Sequence, residues 1–295
     1  MTHPKPYMIP PIPVPFPWPK TASALFGKVV EESNRLESSL RRNSTASSMS
    51  LPEEPWQEEG TTSLIFRMVL KRPDPSEAEF DGKTLSNAHN IATSYLSELR
   101  VLRTVSVHPN IVRFAGIIEG VGIILEQIDG VELQSKFPTS DDLAYPSPVS
   151  KIQWATGTMD ALIHLHSFHL SHSDLSPWNI LITKDDQAKL IDFGRSTTLG
   201  ERVFPASPPF SAPEIKYPDP SADGILADAY SYGVVLLCLD INRMLDPNDD
   251  VIQAASEPSS AWLFGDLIAL YLQDHQSRSR LVSEHKSRFK SDNSG

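Results

Sequence analysis

The chain has 295 residues, a formal net charge of −11, 25 prolines and one cysteine. The acidic balance argues against general affinity for nucleic acid or an anionic membrane, since both require a basic face. One cysteine excludes a disulfide framework within the chain, and Cys238, set in the apolar run 233–239, reads as a buried structural thiol suited to a reducing compartment.

Residues 1–58 read as a tail outside the folded part. Proline dominates up to Pro19, and Ser38 to Ser50 is nearly all small or polar, so little apolar surface is available for burial. The proline stretch has the composition of a ligand for a proline-recognising module, and equally of an inert spacer. Its apolar residues are interrupted by proline, so no signal peptide is read, and the run 233–239 is too short to cross a bilayer. The expected location is cytoplasmic or nuclear.

Residues 63–71 suggest one strand or two short ones. From Leu85 to Val105, apolar residues at Ile91, Tyr95, Leu99, Leu102 and Val105 mark an amphipathic helix, stopped by Pro109. Ile111 to Ile118 and Val121 to Ile128 read as a hairpin around Glu119-Gly120. A second helix carries the stripe Ile152, Ala155, Met159, Leu162, Ile163 and His166. Strands at 179–183 and 188–191 follow, then a proline-rich loop from Arg195 to Pro220 and a largely helical remainder. The expected fold is α+β and two-lobed. A small, abbreviated β-rich lobe spans 59–128, with a hinge near Glu126; a larger helical lobe spans 129–286, and 287–295 form a polar tail.

The segment His172-Ser173-Asp174-Leu175-Ser176-Pro177-Trp178-Asn179 places a carboxylate five residues before an amide oxygen, on a loop between a helix and a strand. Thirteen residues after the amide comes Asp192-Phe193-Gly194, behind the short strand Lys189-Leu190-Ile191. Phosphoryl transfer asks for such parts: oxygen ligands for a metal and a carboxylate to orient the incoming hydroxyl.

On these motifs residues 60–285 resemble the protein kinase family. The resemblance implies ATP and Mg2+ as cofactors, a protein substrate, Asp174 as catalytic base, and Asn179 and Asp192 as magnesium ligands. Ala212-Pro213-Glu214 resembles the close of the activation segment. Asp228-Ala229-Tyr230-Ser231-Tyr232-Gly233 resembles the helix start whose aspartate braces the catalytic loop. His108-Pro109-Asn110 resembles the turn after the regulatory helix. By the same resemblance Glu98 pairs with the phosphate-binding lysine, for which Lys71 in Met68-Val69-Leu70-Lys71 is the first choice and Lys83 the competitor. Leu125 takes the gatekeeper position, Glu126 and Ile128 give backbone contacts to adenine, Glu132 reaches the ribose, and Leu181 forms the adenine floor.

Three departures stand out. The glycine-rich loop shrinks to a remnant around Gly60 in Glu59-Gly60-Thr61-Thr62-Ser63. Ser173 replaces the arginine that pairs with a phosphorylated activation loop, which argues against that mode of activation, although Ser196, Thr197 and Ser207 are available hydroxyls. Ser176 replaces the lysine two residues after the base, while Ser207-Pro208-Pro209-Phe210-Ser211 resembles the Ser/Thr pattern more than the tyrosine one. His164, His166, His169 and His172 fall on different helical faces and do not read as a metal cluster. Asp185-Asp186 reads as a solvated turn. The leading expectation is therefore a Ser/Thr protein kinase. A pseudokinase scaffold is the second reading and a small-molecule phosphotransferase the third.

Overall fold

A computed structural model describes residues 68–72, 88–118, 122–138, 145–219, 221–256 and 262–289. The chain divides into two compact units, one holding residues up to 106 together with 113–127, the other 107–112 and everything from 128 onward.

In the first unit β1 (Met68–Lys71) is followed by helix α1 (Ala88–Thr104), then β2 (Phe114–Ile118) and β3 (Gly122–Glu126). The three strands form an antiparallel sheet in the order β1-β3-β2, with Val69 opposite Leu125 and Lys71 opposite Ile123. The helix period is the one expected: Ala92, Tyr95, Leu99 and Leu102 are buried, one or two turns apart. Its expected start at Leu85 lies outside the described residues.

The expected hairpin begins later than Ile111. Ile111 forms a parallel bridge to Leu190, Val112 N–H donates to the Leu190 carbonyl at 2.9 Å, and Leu190 N–H donates to the Asn110 carbonyl at 2.8 Å. Those backbone groups are already satisfied in the second unit, so the strand that pairs with β3 begins at Phe114. Asn110 fixes the arrangement by donating from Nδ2 to the Ala188 carbonyl at 2.8 Å.

The second unit opens with β4 (Gly130–Glu132), a strand the sequence does not announce. A side chain at Gly130 would meet the Ile182 carbonyl oxygen at 2.3 Å, so glycine is what lets this strand pair closely with its neighbour. Helix α2 (Pro148–Ser167) starts at Ser147, whose hydroxyl accepts the Ser150 N–H, with Pro148 in the first turn. Its buried set is wider than the expected stripe: Trp154, Ala161 and Leu165 join Ala155, Met159 and Leu162, because the helix packs on more than one side.

Beyond α2 come β5 (Leu170–Ser171), β6 (Ile180–Thr183), β7 (Ala188–Leu190) and β8 (Thr197–Thr198). Strands β4, β6 and β7 form one antiparallel sheet, and β5 pairs with β8. The proline-rich loop therefore carries a strand near its start, and it is tied further along by the bridge between Val203 and Asp219.

Helix α3 (Gly224–Ile241) is capped by Asp223, whose Oδ1 accepts the N–H groups of Ile225 and Leu226, and ends at Asn242 in the left-handed region. Every residue from Ala227 to Leu239 is buried. Length and composition alone would allow this helix to cross a membrane, but here it is the central core helix. Burial pushes the Cys238 thiol up to about 12, which leaves it an inert core group. The short helices α4 (Val251–Ala255) and α5 (Gly265–Tyr271) follow, and α5 packs on α3.

Candidate active site

Within the first unit, Lys71 Nζ lies 2.7 Å from Glu98 Oε2. Strand β1 supplies the lysine and α1 the glutamate, and the Glu98 side chain is only 2% exposed. A buried carboxylate needs a charged partner, so the pair fixes Lys71 in direction as well as in charge. Lys83 and Gly60 lie outside the described residues. Glu126 uses Oε1 to accept the Arg113 N–H at 2.9 Å, which braces the end of β3, and Leu125 is buried on the same strand.

Within the second unit, Glu132 and Leu181 stand directly opposite each other on the β4–β6 ladder. Glu132 accepts a hydrogen bond from Gln134 at 3.3 Å, and Ile128 is half-buried just before β4.

The loop that leads into Asp174 is held by one carboxylate. Asp228, on the first turns of α3 and 1% exposed, accepts the His172 N–H at 2.7 Å and the Ser173 N–H at 2.8 Å. Its Oδ2 also lies 2.9 Å from His166 Nε2. These bonds hold Ser173 at φ 63, a conformation unfavourable for a residue with a side chain. Asp174 therefore leaves the loop in a direction set by α3. Replacing Asp228 with Asn puts an amide donor where a carboxylate accepts from two backbone N–H groups and a histidine. Asp228→Asn is expected to lower unfolding free energy by about 2–3 kcal/mol, read from denaturant unfolding.

The remaining bonds tie this loop to the chain around Asp192. Asn179 donates from Nδ2 to the Asp174 carbonyl at 2.8 Å, and Ile191 N–H donates to the Asn179 carbonyl at 3.1 Å. His172 Nε2 lies 3.1 Å from the Ile191 carbonyl oxygen. Asp192 follows at φ 58, its Oδ1 accepting the Gly194 N–H, with Phe193 fully buried behind it. The Asp174 carboxylate has Arg195 at 3.9 Å and the Ser207 N–H at 3.4 Å.

The donor set suits a hard divalent cation. With Nδ2 of Asn179 committed to a carbonyl, the amide offers its oxygen, and Asp192 offers a carboxylate. Among the described residues there is no group of three or more His, Cys, Asp or Glu able to hold a metal. An amide oxygen and a carboxylate are ligands of the kind that Mg2+ takes together with substrate phosphates. The four histidines have other occupations: His166 faces Asp228, His172 faces Ile191, His164 stacks on His108 at 4.6 Å, and His169 terminates α2 at φ 58.

Two of the three hydroxyls expected to be available for phosphorylation are not. Ser196 is 1% exposed and donates to the His172 carbonyl, and Thr197 is 8% exposed. Thr197 is held inward by the pairing of β8 with β5 and Ser196 lies just before that strand, while Ser207 stays exposed. Arg278 is a structural residue that sequence reasoning missed. It forms a two-pronged pair with Glu214 at 2.6 and 3.1 Å and lies over the Tyr230 ring.

Comparison with known proteins agrees with this geometry. The protein kinase domain family matches residues 59–283. Serine/threonine-protein kinase kin-29 of Caenorhabditis elegans is 38% identical over 103 residues, covering 34% of this chain and 12% of that protein. CBL-interacting protein kinase 24 of Oryza sativa is 31% identical over 179 residues, covering 58% and 38% respectively. The cAMP-dependent protein kinase type 3 of Saccharomyces cerevisiae is 33% identical over 144 residues, covering 47% and 35%. The chain thus spans well under half the length of each of these relatives. Because the family match runs through both units and nearly all of the described residues, the chain belongs to the protein kinase family.

Proposed function

We propose that this chain transfers the γ-phosphoryl group of ATP to a serine or threonine hydroxyl of a protein. The observation that carries the reading is the joint bracing of Asp174 and Asn179. Asp228 fixes the backbone ahead of Asp174, and Asn179 is bonded both to Asp174 and to the strand leading into Asp192. Serine/threonine specificity is favoured by the names of relatives such as kin-29 and by the segment Ser207–Ser211.

Asp174 orients the acceptor hydroxyl and receives its proton as the new O–P bond forms and the bond to the ADP leaving group breaks. Lys71, held by Glu98, supplies a positive charge to the nucleotide phosphates. Asn179 and Asp192 provide the oxygen ligands for Mg2+, which when bound offsets the charge on the transferring group. Glu126 and Ile128 are assigned to adenine through their backbones, Glu132 to the ribose, and Leu181 to the face of the base.

A thermal-shift titration with ATP, with and without Mg2+, tests the binding half of this reading. At nucleotide concentrations near 100 times Kd, binding adds about 2.7 kcal/mol, so a magnesium-dependent rise of roughly 5–10 °C in Tm is expected. No shift at saturating nucleotide would move the assignment to a scaffold that keeps the fold without turnover.

A further inference from the structure

We propose that Ser171, Ser173 and Thr197 form a hydroxyl lock that positions Asp174 and the chain after Asp192 without any phosphate. The proposal deepens the kinase reading by naming how the same site is held in register.

Ser171 Oγ lies 2.7 Å from Ser173 Oγ and 2.8 Å from Thr197 Oγ1, and Ser173 Oγ lies 3.2 Å from Thr197 Oγ1. The three residues are 3%, 6% and 8% exposed. Three hydroxyls at the corners of a triangle can each donate once and accept once, so the ring is self-satisfied away from water. Ser171 Oγ is also 3.3 Å from the Thr197 carbonyl, and Ser196 reinforces the contact by donating to the His172 carbonyl. The ring's hydrogen bonds among the described residues run between hydroxyls and to the Thr197 carbonyl, all neutral groups.

The lock joins two segments that carry the chemistry. Ser171 ends β5 and Thr197 begins β8, and the two strands pair with Ser171 opposite Thr197. Ser173 immediately precedes Asp174, and Thr197 lies five residues beyond Asp192. The pocket has no room to spare: a side chain at Gly224 would meet Ser171 Oγ at 2.4 Å and Thr197 Oγ1 at 3.3 Å. Phosphate on Thr197 would force a dianion into this closed neutral site. On the next residue it would face Glu201, whose carboxylate already accepts the Thr198 N–H at 2.8 Å. Ser171, Ser173 and Thr197 are therefore positioning residues, and β8 is registered by neutral hydrogen bonds.

The test compares the wild type with Thr197→Val, which keeps the shape and removes the hydroxyl, Thr197→Ser, which restores it, and Ser171→Ala as a smaller deletion. Two readouts are used: kcat and KM for ATP with a serine-containing peptide, and hydrogen exchange of segments 170–176 and 195–200. Thr197→Val and Ser171→Ala are expected to lower kcat about 10- to 100-fold with KM for ATP within about twofold, as a misplaced base would. Exchange should quicken in both segments but not in α3, and Thr197→Ser should restore both readouts. Unchanged exchange in Thr197→Val and Ser171→Ala, or a Thr197→Ser variant as impaired as Thr197→Val, would overturn the lock. So would a gain of more than about tenfold in kcat on phosphorylation of Ser196, Thr197 or Thr198. If the wild type transfers no phosphoryl group, the kinase reading fails and exchange alone decides the lock.

Discussion

Asp192→Ala is expected to reduce phosphoryl transfer by at least about 10³-fold while leaving the fold intact. Asp192 supplies the only carboxylate in the proposed metal pair, and a metal that stabilises transition-state charge is worth several kcal/mol, each 1.36 kcal/mol being roughly tenfold in rate. The Asp192 side chain is exposed, so its removal leaves no cavity in the core. Alanine at φ 58 adds about 1 kcal/mol of backbone cost, since aspartate and asparagine tolerate that region better. Asp192→Asn separates the two effects: it suits the backbone and lacks the charge. Both variants should therefore lose turnover in a steady-state transfer assay while melting within a few degrees of the parent. Turnover retained in either one would remove Asp192 from the mechanism.

Arg278→Ala carries the largest expected stability effect. The guanidinium is fully buried, grips Glu214 with two prongs, and also donates to the carbonyl oxygens of Leu226 and Gln273. Deleting it leaves a carboxylate and two carbonyls short of a donor and opens a void beside Tyr230. Breaking a buried pair from one side costs about 3–5 kcal/mol, and the lower end applies because Glu214 keeps 23% of its side-chain surface in water. A Tm lower by roughly 6–12 °C follows for a domain of this size. Arg278→Lys should recover less than half of the loss, because an ammonium cannot reproduce the fork. A calorimetric scan of the three proteins decides the matter.

The loop carrying Asp174 and Asn179 could be placed from the sequence because its residues are adjacent in the chain, and Asp192 follows at a spacing that one short strand pair imposes. Helix α1 was legible from its period, and Glu98 from its place on that helix. Arg278 was hidden for the opposite reason. It lies 64 residues from Glu214, and nothing local marks an arginine that will be drawn into a core. Strand β4 was hidden because three residues carry no period, and its one signal is a glycine whose purpose appears only beside Ile182. The hydroxyl ring shows a further limit. Ser173 was visible as a missing arginine, but what replaced it depends on the pairing of two-residue strands, which no window of sequence reveals.

The placement of Asn110–Val112 beside Leu190 has a consequence for where the chain can be divided. Residues 107–112 stand between α1 and β2 in sequence yet belong with the second unit, so the peptide passes between the units three times rather than once. A fragment starting at Asp129 would lose the Asn110 clamp on Ala188, along with both backbone bonds to Leu190. It would carry a bare strand edge of the kind that recruits other chains. The second unit is thus completed by six residues borrowed from upstream, and no single cut of the polypeptide yields both units whole.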